Sequence, residues 1–245
     1  MRLAVILFSL LALLLPGTAM AQYVDRDDEA RFESELNRDE FMMVARFRAV
    51  TIPGFMLGLF FDEHANNWED QSNFAYGAEF SWRRDQDFEL GFALDYADLT
   101  MPSKFWLSSG DQPEDGDWTV VDAKLMSLVI TAYWFWTPKP WLSPYVGGGF
   151  GAGLMLGDVL KYNPKPGSPC REPGVLGPPA CYSQNGDVDL AANFDAPVKE
   201  NIPPVIPVIN LVGGVRFNIK KHGILKLELG FQDYAFAGIA AGGQW

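Results

Sequence analysis

The sequence predicts an all-β fold, an eight-stranded antiparallel up-and-down transmembrane β-barrel. Three observations carry that reading. Apolar residues between positions 41 and 245 recur with period two rather than 3.6, in about eight runs. In each run one face is bulky and apolar, while the other is mostly Gly, Ala and Ser with one or two charges. Connections after the second, fourth and sixth runs are short, and those after the first, third and fifth are long, which is the pattern of barrels that cross an outer membrane.

The same alternation suits a soluble periplasmic, lipocalin-like ligand-binding barrel with its apolar face inside. Side-chain volume argues against it. The apolar faces offer on the order of five large side chains per strand, and the interior of an eight-stranded barrel is just wide enough to be filled by side chains. Small and charged residues fit such a narrow interior and would be sparse cover for a soluble surface. No internal run of about 18 apolar residues offers a transmembrane helix instead.

Residues 1–21 read as a secretory signal peptide: Met1 and Arg2, a leucine-rich core, then Ala19-Met20-Ala21 before Gln22. The layout of this leader suggests export into a bacterial envelope. Residues 22–40 form an acidic N-terminal periplasmic segment, with eight acids against Arg26, Arg31 and Arg38. A solvated leader explains it better than a binding tail. The formal net charge of −12 argues against nucleic acid as a partner.

The barrel itself is expected over 41–245. Its first extended segment is 41–61, with Phe41, Met43, Ala45, Phe47 and Ala49 on one face and Arg46 and Arg48 on the other. Phe55, Leu57, Leu59 and Phe61 continue the apolar face beyond Pro53-Gly54, which reads as a bend or bulge. Strands at 73–83 and 88–97 make the cleanest hairpin: Phe74, Tyr76, Phe80 and Trp82, then Phe88, Leu90, Phe92 and Leu94, alternate with Glu79, Arg83, Glu89 and Asp95. Residues 99–119 read as a long polar loop. A fourth strand at 120–136 puts Met126, Leu128, Ile130, Trp134 and Trp136 on its apolar face. Thr137-Pro138-Lys139-Pro140 turns the chain, since two prolines do not fit a paired strand centre.

The fifth strand, 141–158, reads WLSPYVGGGFGAGLMLGD. Its even positions are mainly apolar and its odd positions mainly glycine, leaving space for a charged interior. Gly147, Gly149 and Ala152 superficially match a dinucleotide fingerprint, but that motif needs a helix to follow, and here the alternation continues. The longest loop is 159–206. Strands at 207–219, 224–234 and 235–245 complete the set, the last short and glycine-rich.

The signal peptide, the eight alternating runs, the PYVGGGFGAG strand after a tight turn and the terminal Trp245 together resemble the small outer-membrane β-barrel domain family, of which the transmembrane domain of outer membrane protein A is the familiar example. The resemblance covers roughly 41–245 and rests on pattern. It implies a bacterial outer-membrane address, and surroundings of outer-membrane lipid and lipopolysaccharide. It also implies that Trp245 forms part of the signal read by the barrel-assembly machinery. The bulky alternation usual before that aromatic is weak here, in AFAGIAAGGQW.

Nine residues are expected to form a polar network in the lumen: Arg46, Arg48, Arg83, Arg216 and Lys226 against Glu79, Glu89, Asp95 and Glu228. Near-balanced charge in a narrow interior favours a sealed plug over a narrow pore for small solutes. Cys170 and Cys181 are expected to form a disulfide in the exported chain, with no further ligands nearby for zinc. His64 and His222 fall at opposite ends, and no Ser–His pair has the placement a lipid-modifying enzyme needs, so no catalytic residue, cofactor or metal is expected. Asp111, Glu114, Asp115, Asp117, Asp187 and Asp189 do not follow the EF-hand spacing and read as solvated loop acids. The role expected is structural or interactive, through the external loops of a monomer.

Overall fold

The computed structural model describes residues 39–59, 61–64, 73–85, 87–112, 115–168, 170, 188–219 and 222–245. Eleven strands and two short helices follow in chain order: β1 (Glu40–Thr51), α1 (Gly54–Leu57), β2 (Phe61–Glu63), β3 (Asn73–Asp85), β4 (Phe88–Asp98), β5 (Met101–Ser108), β6 (Asp117–Phe135), β7 (Leu142–Tyr162), α2 (Leu190–Asn193), β8 (Val198–Lys199), β9 (Val205–Ile219), β10 (Gly223–Gln232) and β11 (Ala235–Gln244).

Eight of the strands close a barrel. The order β1-β3-β4-β6-β7-β9-β10-β11 is antiparallel throughout, and β11 returns to pair with β1. Closure matters because hydrocarbon cannot hydrogen-bond an open sheet edge. At the seam Phe41 and Trp245 exchange backbone hydrogen bonds of 3.1 and 3.0 Å. Both lie at the end that carries the short turns, which is the periplasmic end of such barrels.

Period two then sorts the side chains. In β1, Phe41, Met43, Phe47 and their partners point out, while Met42, Val44, Arg46, Arg48 and Val50 are buried inside. The outward wall is apolar and bare: Phe150 is 71% exposed, Val146 63% and Leu128 60%. A water-soluble domain does not carry so continuous an apolar surface, and a lipid-facing wall requires one. This arrangement, charges in and aromatics out, rules out the lipocalin-like alternative. Aromatic girdles bound the belt. Phe88 with Trp134 and Trp141 with Phe217 lie toward the short-turn end, and Tyr76 with Tyr96 toward the other.

Several boundaries differ from the sequence expectation. The first strand does not run to residue 61. It ends at Thr51, and Pro53, which has no amide hydrogen to add to a ladder, N-caps the single turn α1. The stretch 99–119 is not one polar loop, because β5 folds back on β6 as a hairpin that rises above the barrel. The stretch 159–206 is likewise shorter as a loop, since β7 continues to Tyr162 and β8 pairs with it. Glu40, placed by sequence in the leader, is the first residue of β1. The glycine-rich β11 pairs along its length with both β1 and β10. Residues 1–38, Cys181 and Asp187 lie outside the described residues, as does Glu114.

Candidate functional site

The lumen divides into two levels. The charged side chains fill the middle and the short-turn end, beside an apolar cluster of Met42, Val44, Ile224 and Ala240, and the long-loop end is mainly apolar. All nine predicted lumen residues are buried on the inner face.

The lower level is built around Glu79. Its carboxylate, 1% exposed, accepts hydrogen bonds from Arg46 (2.9 Å), Lys226 (2.9 Å) and the Tyr133 hydroxyl. Those partners come from β1, β10 and β6, so one side chain of β3 ties across the lumen to three other strands. Lys226 also donates to Glu89 (2.9 Å), and Glu89 accepts from Arg216 (3.2 Å). Arg216 continues to Asn218 (2.9 Å), to Gln244 and, at 3.8 Å, to Glu40. Glu40 thus supplies the fifth acid that balances the five bases. The Phe135 ring sits beside the guanidiniums of Arg83 (4.8 Å) and Arg216 (5.8 Å), a cation–π arrangement that shelters two like charges near the opening.

A second cluster lies one level up. Glu228 accepts from Arg48 (2.8 Å) and from the Tyr145 hydroxyl (3.0 Å), and Arg48 also donates to Gln232 (3.0 Å) and lies over the Phe236 ring at 3.9 Å. Gln232 donates to Ser127 at 2.9 Å. Asp95 is held more loosely, 3.6 Å from both Arg46 and Arg48. Interior ion pairs of this kind repay their desolvation only with good geometry and further hydrogen bonds, which the two tyrosines and Gln232 provide.

Sequence reasoning found the charges and missed their neutral partners. Tyr133, Tyr145, Gln232 and Gln244 all stand at inward positions, so parity alone could have found them. The glycines of β7 make room for neighbouring inward side chains, as expected, but the side chains opposite them are not the charged ones. Gly147, Gly149, Gly151 and Gly153 stand opposite Tyr133, Thr131, Val129 and Ser127 of β6, none of them charged. A Cβ on Gly147 would come within 2.7 Å of the Tyr133 ring, and one on Gly153 within 2.5 Å of Leu125. The glycine row is the floor over which the inward side chains of β6 lean.

Above the barrel, the long connection after β7 forms a small lobe. Phe194, Cys170, Val188 and Leu190 pack on Phe105, Trp118 and Tyr162, the outward face of the raised sheet. Asp189 caps α2 through the Ala192 amide (3.0 Å), and Lys165 donates to the Ala191 and Ala192 carbonyls (2.9 and 3.2 Å). Lys161 pairs with Glu200 at 2.8 Å, and Lys199 pairs with Asp158. Among the described residues no acids gather into a metal-ligand set. His64 lies beside Trp106 in the long-loop cap, and His222 lies by Gln244 at the opposite end, so the structure does not bring the two together.

Asp117, at the rim, has its carboxyl pKa raised by partial burial; Lys161 opposes the shift, and Glu200, Asp115 and Asp111 add to it. A carboxyl that binds its proton more tightly when folded opposes folding once ionised, and that cost fades as pH falls through the folded pKa toward the unfolded Asp value of about 3.9. Asp117→Asn is therefore expected to be neutral or stabilising at pH 7, with its advantage shrinking in acid. Urea titrations at pH 7 and at a pH near the unfolded Asp pKa check this.

The fold is that of a small outer-membrane β-barrel. Among solved structures, the chain is similar to Ail, the attachment invasion locus protein of Yersinia pestis, crystallised with the heparin analogue sucrose octasulfate (9% identity, TM-score 0.45, covering 85% of this chain and 99% of that one). It is also similar to the N-terminal β-barrel domain of OprF of Pseudomonas aeruginosa (16% identity, TM-score 0.39, 84% and 97% covered) and to Neisserial surface protein A (12% identity, TM-score 0.36, 84% and 95% covered). No protein-family model and no curated protein matches the chain. The assignment rests on the chain's own closed, apolar-walled barrel.

Proposed function

We propose that this protein is an outer-membrane barrel closed by its own side chains and working at the cell surface through its long connections. The observation that supports closure is Lys226, clamped at 2.9 Å between Glu79 and Glu89 in mid-lumen, with Tyr133 and Tyr145 beside it. The support for a surface role is the packed lobe and the raised β5–β6–β7 sheet, which extend structure well beyond the membrane wall.

On this reading residues 1–21 direct export and are removed. Outer-membrane lipid and lipopolysaccharide surround the wall, the barrel-assembly machinery reads the final strand with Trp245, and the barrel stands as a monomer. Cys170, buried against Phe105 and Phe194, pairs with Cys181 to hold the lobe. No catalytic role is assigned.

Purified protein in planar bilayers is expected to give no conductance above background. Resolved channel steps would overturn the plug and favour a narrow pore for small solutes. The observation favouring that second reading is the looser layer around Asp95, where the ion-pair distances are 3.6 Å and two Arg46 nitrogens have no hydrogen-bond partner in the protein. Pull-down or cell-binding assays with the lobe residues 163–200 deleted test the surface role separately.

A further inference from the structure

We propose that the outer wall carries a docking site for one phospholipid acyl chain, in a notch centred on Gly213 of β9. The notch has a volume of about 470 Å³, within the range of small-ligand sites. Gly213 pairs with Val146 of β7 on one side and with Leu229 of β10 on the other, so a bare position stands between two large outward side chains. Leu211 and Phe231, paired with each other, rim it toward the long loops. Behind it, on the inner face, the Phe236 ring lies against Gly230 and closes the wall.

Other glycines of these strands have a reason within the chain. On Gly151, Gly214, Gly230 and Gly238 a Cβ would come 2.0 to 2.4 Å from a carbonyl oxygen of the neighbouring strand. Gly213 and its diagonal neighbour Gly148 face outward and have no such reason, since the nearest atoms to a Cβ there lie at 3.9 and 3.8 Å. A glycine weakens a strand, and one placed where the chain itself leaves room marks the close approach of something outside it. The notch is continuous with the lipid-facing wall, so what approaches comes from the bilayer. The rim side chains are all apolar, and a polar group brought to that depth would find no partner, so the occupant is hydrocarbon there. Val146, Leu229 and Leu211, 63%, 61% and 56% exposed, stand proud around the notch. They hold off a rigid second barrel and let a flexible chain lie between them. Gly213 lies nearer to Phe217, in the short-turn girdle, than to Val205 at the other end of β9, which puts it within reach of a chain from the periplasmic leaflet.

The test is photolabelling of the full barrel in phospholipid nanodiscs that contain a phospholipid with a diazirine along one acyl chain, mapped by mass spectrometry. Leu94, midway along β4 on another part of the wall, is the control, because its exposure of 55% matches that of Leu211. The expected result is label on Leu211 and Leu229 several-fold above that on Leu94. The notch label is expected to reach a plateau as the photolipid fraction rises, while label on Leu94 rises in proportion. Gly213→Leu fills the notch where the strand leaves room for a side chain, and is expected to bring Leu211 and Leu229 down to the level of Leu94 with heat-modifiable gel mobility retained. Val146→Trp, which covers the notch from its rim, replaces Gly213→Leu if the latter lacks that mobility. Even labelling of the three leucines, or an excess at the notch that survives the filling variant, would overturn the proposal. Nanodiscs holding two barrels with neither Leu211 nor Leu229 labelled would assign the notch to a second copy and overturn it as well.

Discussion

Glu79→Ala is expected to destabilise the barrel by about 3–5 kcal/mol, the cost of stranding buried charge partners. The carboxylate bonds Arg46, Lys226 and Tyr133, and all four groups are almost completely buried. Removing it leaves a guanidinium and an ammonium facing each other in an interior from which water is largely excluded. Lys226 keeps Glu89, but Arg46 keeps only the 3.6 Å approach to Asp95 and a 4.0 Å approach to Glu228. Urea unfolding from lipid vesicles gives the magnitude. Glu79→Gln, which retains shape and an acceptor but not charge, is expected to fall between wild type and alanine. Adding Arg46→Met to Glu79→Ala is expected to recover part of the loss, because the guanidinium left without a close partner goes with it. Strictly additive losses would sink the view that Glu79 acts by pairing.

That network shows how far the sequence could be read. A strand has two faces, and one buried face fixes which residues share it. Once Phe41, Met43 and Phe47 are taken as outward, Arg46 and Arg48 have nowhere else to go, and the same logic places Glu79, Glu89 and Lys226. What parity does not supply is partnership. Arg48 reaches past β11 to Glu228 and Gln232 on β10, and it lies over Phe236 because Gly238 leaves room. Such contacts depend on barrel closure and on strand stagger, neither of which is written locally. The inward aromatics were hidden for another reason. Tyr133 and Phe135 share a strand whose outward face is also aromatic, so counting apolar residues does not distinguish wall from plug. Alternation also misled at the first strand. Phe55, Leu57, Leu59 and Phe61 keep period two through a helical turn, where Leu57 packs inward and Phe55 is left exposed. β5 escaped notice because its register with β6 shifts between Met101 and Lys104, which breaks the two-residue rhythm.

The glycine row of β7 carries the other large effect. Gly151→Leu is expected to prevent formation of the compact barrel altogether, a heavier penalty than the roughly 1–3 kcal/mol of ordinary overpacking. The reason lies in what a side chain there would meet. A Cβ on Gly151 would fall 2.0 Å from the Leu128 carbonyl oxygen, 2.8 Å from the Val129 Cα and 2.9 Å from the Leu128 carbonyl carbon. All three are backbone atoms of β6, so no rotamer change relieves the clash, and the strands themselves must part. β6 and β7 run paired from Trp118–Tyr162 to Phe135–Tyr145, the longest ladder in the barrel. Separating them exposes backbone groups to lipid, where each unpaired group costs several kcal/mol. Gly153→Ala meets instead the Leu125 side chain, which can turn aside, and a smaller loss is expected there. Phe150→Leu changes only the lipid-facing wall and is expected to fold normally. Heat-modifiable gel mobility after refolding into vesicles separates the three. A folded Gly151→Leu barrel with wild-type stability would show that β6 and β7 do not approach as closely as the glycine row implies.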